Sequence, residues 1–132
     1  MKNVLGFLSK AKKGNIITVF GCGGERDRTK RPLMGKVAER FSDYIILTND
    51  NPRCEDSRKI INDIEEGMVN KEGHTVILDR HKAIEKALKK ARDNDIVLIA
   101  GKGHEKEQII GDSVIPFDDR KIAEEILRKI NR

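Results

Sequence analysis

The chain has 132 residues, with 27 Lys and Arg against 22 Asp and Glu for a net charge of +5, a size that fits one domain with a core of its own. Charged residues reach 37%, above the roughly 25% of ordinary domains, and the two signs are interleaved, so the excess reads as a solvated, ion-paired surface rather than a disordered tail. No apolar run approaches the ~18 residues of a membrane-spanning helix, residues 1–15 lack the pattern of a secretory leader, and Cys22 and Cys54 with scattered histidines make neither a disulfide framework nor a zinc site. The expectation is a reduced, cytoplasmic protein with no metal site of its own.

Residues 2–12 open the chain as helical turns with no strand before them, which reads as a piece of something longer. Residues 15–21 (NIITVFG) then form a short, Ile/Val-rich run. Such continuous apolar runs suit strands buried on both faces of a parallel sheet. A helix follows over 33–41, with Pro32 in its first turn, and a second strand over 44–48 (YIILT). Residues 58–68 carry Ile60, Ile61 and Ile64 on one face, with Asp56 or Ser57 as the cap. A third strand is predicted at 74–78. The run 80–92 then places Ala83, Ile84, Ala87, Leu88 and Ala91 on one stripe behind Asp79 as N-cap. The fourth strand falls at 95–100. EQIIG and SVIPF flank Gly111-Asp112 as a β-hairpin, and a helix from Asp118 to Ile130 closes the chain. The alternation predicts a Rossmann-like, doubly wound α/β fold: a mostly parallel sheet with a C-terminal antiparallel hairpin added at one edge.

In an open parallel sheet, ligands collect beyond the carboxyl ends of the strands, and three loops lie there. The first, GCGGERDRTKRPLMG at 21–35, combines glycines with Arg26, Arg28, Lys30 and Arg31 before a helix N-terminus, an arrangement suited to anions. It contains no Gly-Lys-Ser/Thr, and a merely basic, solvated loop accounts for the same residues. The second, TNDNPRCED at 48–56, offers Asp50 and Asn51, a turn stiffened by Pro52, and Arg53, which can clamp a carboxylate bidentately; a polar turn opening a helix is the plainer reading. The third, AGKGHEKEQ at 100–108, has Gly101 to present backbone, Lys102, and Glu105 to accept from an ammonium group. His104 there suits either a general base or a loop-fixing hydrogen bond, while His74 and His81 read as structural or exposed. Together, cations, an arginine beside acid and amide, and a carboxylate suit a zwitterion carrying both carboxylates and ammonium groups. No nucleophile with a partnered base is visible, so no catalytic residue is expected in the chain.

VFGCGGERDRTKRPLMG, LTNDNPRCED followed by IINDIEEGM, and AGKGHEKEQ resemble, in order and spacing, the C-terminal domain of the Mur ligases. Asp-Asn-Pro-Arg resembles the motif of members that add meso-diaminopimelate rather than L-lysine. The resemblance implies that residues 1–132 are a single Mur ligase C-terminal domain, a fragment lacking the N-terminal and central ATP-binding domains. It implies an ATP-dependent ligase of peptidoglycan synthesis that phosphorylates the D-glutamate carboxylate of UDP-N-acetylmuramoyl-L-Ala-D-Glu and lets diaminopimelate attack it. ATP and magnesium belong mainly to the absent central domain, so this chain alone is expected to bind neither cofactor and to be inactive. The family's diaminopimelate contacts match Arg26, Asp50, Asn51, Pro52, Arg53, Gly101 and Glu105, and Lys30 matches a phosphate contact. Glu107 departs from the aromatic residue of many relatives. The partners implied are meso-diaminopimelate, the UDP-linked substrate and the remaining ligase domains. A stand-alone module sensing diaminopimelate or muropeptides is one alternative. A nucleic-acid binder, suggested by a pI near 9.3, is another, though one Tyr, four Phe and no Trp leave little for base stacking; neither nucleic acid nor membrane is an expected partner.

Overall fold

A computed structural model describes residues 1–70, 72–101 and 105–130. Helix α1 (Lys2–Ala11) precedes strand β1 (Ile16–Phe20), followed by α2 (Lys30–Phe41), β2 (Tyr44–Leu47), α3 (Ser57–Glu65), β3 (Thr75–Val76), α4 (Arg80–Lys90) and β4 (Ile96–Ile99). A hairpin of β5 (Glu107–Ile110) and β6 (Ser113–Pro116) leads to α5 (Asp119–Ile130). The four-stranded sheet has the order β3-β2-β1-β4, and all its pairings are parallel, with Thr18 opposite both Ile45 and Leu98.

The alternation of side chains along each strand divides the core in two. Phe20, Ile45 and Leu47 pack with Ala38 of α2 and with Ile60, Ile61 and Ile64 of α3. Ile17, Val19 and Ile46 point the other way, toward Ala83, Ile84 and Ala87 of α4 and Ile126 of α5. Helices therefore cover both faces, as the continuous apolar runs require. The caps are those the sequence predicts: Asp56 accepts from the Arg58 amide and Asp79 from the Lys82 amide. The chain winds outward from β1 to β3, then α4 crosses to the other edge. The winding reverses between β1 and β4, and the crevice beyond that point is where the loops after β1, β2 and β4 meet.

Two expectations need adjusting. The third strand is shorter than 74–78: the Ile77 amide still reaches the Leu47 carbonyl, but Leu78 turns away and its carbonyl accepts from the Thr48 hydroxyl. The hairpin forms as predicted, with Gly111 left-handed at φ 59°, yet it adds no strand to the main sheet. It is bonded to the loop after β2 by a parallel bridge between Arg53 and Ile110. A loop has unpaired amides and carbonyls to offer, and the hairpin takes those.

Candidate functional site

The loop after β1 and the loop after β2 pack backbone against backbone. The Gly24 amide donates to the Asn51 carbonyl at 2.7 Å, and a Cβ on Gly24 would collide with the Pro52 carbonyl. Only glycine allows that approach. Gly23 beside it has two arginines close by: its Cβ position is 3.1 Å from Arg26 Cγ and 3.2 Å from Arg53 Nη1. Arg26 and Arg53, expected to act together, thus approach one glycine.

Arg53 has a left-handed backbone, φ 54°, uncommon for a residue with a side chain and costing about 1–3 kcal/mol. The surroundings enforce it. The Arg53 amide donates to the Ile109 carbonyl at 3.0 Å, and the Arg53 carbonyl accepts from the Gly111 amide. Its Nη1 donates to the Gly24 carbonyl at 2.9 Å and to the Asn51 carbonyl at 3.3 Å. The hairpin holds the neighbouring residues as well. Gln108, buried, donates from Nε2 to the Asp50 carbonyl at 2.9 Å. Asn51, also buried, accepts at Oδ1 from the Ile109 amide at 3.0 Å and donates from Nδ2 to Glu105 Oε2 at 3.2 Å.

A cavity of about 440 Å³ opens beside these contacts, lined among others by Gly21, Cys22, Arg26, Lys30, Asp50 and Gly101. Gly101 has φ 111°, and its Cβ position stands 3.4 Å from Asp50 Oδ2, so the third loop brings bare backbone against that carboxylate. Of the residues singled out in the sequence, Arg26, Lys30, Arg31, Asp50 and Gly101 line this cavity. Asn51, Pro52, Arg53 and Glu105 do not line it; Asn51 and Arg53 are tied to the first loop, and Glu105 to Asn51, through the bonds just described. Lys102 and His104 lie outside the described residues.

The first loop is less cationic toward the cavity than its composition suggests. Arg31 is buried, donating through Nη1 and Nη2 to Glu55 at 2.6 and 2.8 Å, through Nη1 to Asp63 at 2.8 Å, and through Nη2 to the Gly23 carbonyl at 3.1 Å. Arg28 donates to both oxygens of Asp63. These two guanidiniums bind α3 and the second loop to the first, which corrects their reading as anion ligands. The carboxylates respond as paired acids do. The Arg31 hydrogen bond holds Glu55 down at about 2, and Arg28 holds Asp63 below the usual range. The Cys22 thiol is pushed up to about 11 by burial; it is protonated at neutral pH and no nucleophile. Among the described residues, no group of three or more His, Cys, Asp or Glu is placed to hold a metal ion, and no helix is long and apolar enough to cross a membrane.

Three residues that hold the site were not singled out by sequence reasoning. Glu55 and Asp63 carry no pattern of their own. Arg80 does carry one, since it precedes Ala83, Ile84 and Ala87 on the apolar stripe of α4, where a surface arginine has no place.

A family model described as "Mur ligase, glutamate ligase domain" matches residues 1–103. A protein of Prochlorococcus marinus subsp. pastoris, named UDP-N-acetylmuramoyl-L-alanyl-D-glutamate–2,6-diaminopimelate ligase, is 56% identical over 129 residues, covering 98% of this chain and 25% of its own length. Proteins of the same name from Clostridium botulinum and Aquifex aeolicus are 47% and 52% identical, over 98% and 96% of this chain. A solved structure of a ligase with that name superposes with a TM-score of 0.92 at 39% identity, over 99% of this chain and 27% of that one. The chain therefore spans about a quarter of the length of the relatives it matches.

Proposed function

From the premise that this chain belongs to the Mur ligase, glutamate ligase domain family, we propose that it is the amino-acid-binding domain of an ATP-dependent ligase. In this reading the whole enzyme joins meso-diaminopimelate to UDP-N-acetylmuramoyl-L-Ala-D-Glu in the cytoplasm, for peptidoglycan synthesis. The observation that carries it is the approach of Arg26 and Arg53 to one point beside Gly23, with Asn51 of the second loop bonded to Glu105 of the third.

Each residue then has a role in holding a molecule that is an amino acid at both ends. Arg26 and Arg53 supply guanidinium forks for carboxylates. Asp50 and Glu105 accept from ammonium groups, Gly101 offers backbone, and Pro52 fixes the turn that carries Arg53. Asn51 acts through its neighbours, holding Glu105 and the hairpin. L-Lysine lacks the distal carboxylate, so a site built to pair that group leaves an arginine unsatisfied when lysine enters, which discriminates strongly.

The nucleotide and metal belong to the other three quarters of such an enzyme. Lys30, exposed beside the cavity, suits an anionic phosphate. What this chain contributes to ligation is orientation: it presents an amine to an acyl group carried by another domain.

Calorimetry on the chain with meso-diaminopimelate and with L-lysine tests the reading. Binding of the first, roughly 100-fold or more tighter than the second, is expected. Equal affinities, or heat from L-lysine alone, overturn it.

A further inference from the structure

Arg80 is the first residue of α4, and its side chain is fully buried. Nε and Nη2 fork around Asp119, at 2.8 and 2.7 Å to the two carboxylate oxygens. Nη1 also donates to the Asn49 carbonyl at 2.9 Å, and Nη2 to the Ala100 carbonyl at 3.1 Å. Asn49 immediately precedes Asp50 and Ala100 immediately precedes Gly101. The strands that deliver these residues, β2 and β4, are not neighbours; β1 lies between them. One guanidinium therefore spans the central strand and ties the roots of two cavity loops to each other and to the start of α5.

Stability alone does not account for an arginine here. A buried ion pair is often no more stabilising than apolar side chains of the same volume. What the guanidinium adds is a rigid, planar set of donors that reaches a carboxylate and two carbonyls together, which a lysine ammonium cannot reproduce. Its own placement is firm, because Asp79 caps the helix from the preceding position. The spacing it sets is also sensitive, because Asp50 Oδ2 already stands at van der Waals distance from the Cβ position of Gly101.

We propose that Arg80 is the positioning residue that fixes the separation of the Asp50 and Gly101 loops, and through it the affinity of the cavity for its zwitterionic amino acid. The geometric half stands on the bonds above; the ligand half rests on the function proposed for this site.

The test uses the full chain with Arg80→Lys, and Asp119→Asn as a milder variant that keeps the two carbonyl bonds. Amide hydrogen exchange without ligand is followed at residues 49–51 and 100–101 and, for reference, at Val19 and Ile46 in the central ladder. The meso-diaminopimelate dissociation constant is measured beside it. In Arg80→Lys the loop amides should exchange about tenfold faster or more while the ladder amides keep their rates, and the dissociation constant should rise about tenfold. Asp119→Asn should fall between it and the parent chain, and it carries both readouts if Arg80→Lys does not fold. Parent-like loop exchange with unchanged affinity overturns the proposal. So does equal acceleration of loop and ladder amides, since Arg80 would then serve stability only. Freed loops in Arg80→Lys, with no heat from the parent chain on adding meso-diaminopimelate, support the positioning role and reject the ligand.

Discussion

Asn51 and Glu105, 54 positions apart in the chain, meet side chain to side chain at 3.2 Å. The same Asn51 amide group accepts from the Ile109 backbone at 3.0 Å, so one buried side chain sets both the docking of the hairpin and the placing of a carboxylate. Asn51→Ala leaves the Ile109 amide without that acceptor, a loss of about 1–3 kcal/mol. Thermal melting should show the destabilisation. Calorimetry should show a loss of diaminopimelate affinity larger than that caused by Cys54→Ser, an exposed neighbour in the same loop. Unchanged melting would mean that Asn51 does not hold the hairpin.

Arg53 combines a left-handed backbone with a side chain aimed at Gly24, and two substitutions separate these features. Arg53→Gly and Arg53→Ala both remove the guanidinium, so both should abolish selective binding of meso-diaminopimelate over L-lysine. Only alanine retains a Cβ at φ 54°, a conformation glycine adopts without strain. The glycine variant should therefore melt at or above the alanine variant, by an amount on the order of 1 kcal/mol. A less stable glycine variant would show that the positive φ relaxes when the side chain is removed.

The architecture was legible in the sequence because its two inner strands, β1 and β2, are buried on both faces, while β3 and β4 at the edges are half-buried. Ile16–Phe20 and Ile45–Leu47 are all buried, and a five-residue apolar run between helical patterns has few other uses in a domain of this size. The convergence of the three loops was legible for the same reason, since parallel strands put their carboxyl ends at one edge. The division of labour among the arginines was not. Arg26, Arg28 and Arg31 are the same residue type within six positions, yet Arg31, already in α2, is sequestered by Glu55 and Asp63 from segments that only the folded chain brings near. Asn51 shows the same limit: its residue type suited a ligand contact, while its bonds to Ile109 and Glu105 depend on where the hairpin docks.

Cys22 and Cys54 offer a check on the packing of the cavity wall. Cys22 is partly buried, with its sulfur 3.5 Å from that of Met34, and Cys54 is exposed. Burial pushes the Cys22 thiol up to about 11, so almost none is thiolate at pH 8, and the thiolate is the form that alkylates. Iodoacetamide at that pH, followed by peptide mass spectrometry, should label Cys54 well before Cys22. Equal labelling would mean that the first loop opens enough to solvate Cys22.

The acid limb of the stability curve should report the Arg31 cluster. Glu55 is held at about 2 against an ordinary 4.5, first by its hydrogen bond to Arg31, and Asp63 is depressed by Arg28. A carboxylate whose folded pKa lies below its unfolded value binds fewer protons in the native state. It therefore contributes stability that is full above the unfolded value and is lost as pH falls through the folded one. For Glu55 that window runs from about pH 4.5 down to about pH 2. Glu55→Gln keeps the shape but removes the charge, so its melting temperature should be lower at pH 7 and should fall less steeply across the window than that of the parent chain. The two curves should approach each other near pH 2, where the parent carboxylate is itself becoming neutral. Parallel curves over the whole range would show that Glu55 titrates alike in the folded and unfolded chain, and that the bidentate pair with Arg31 does not persist in solution.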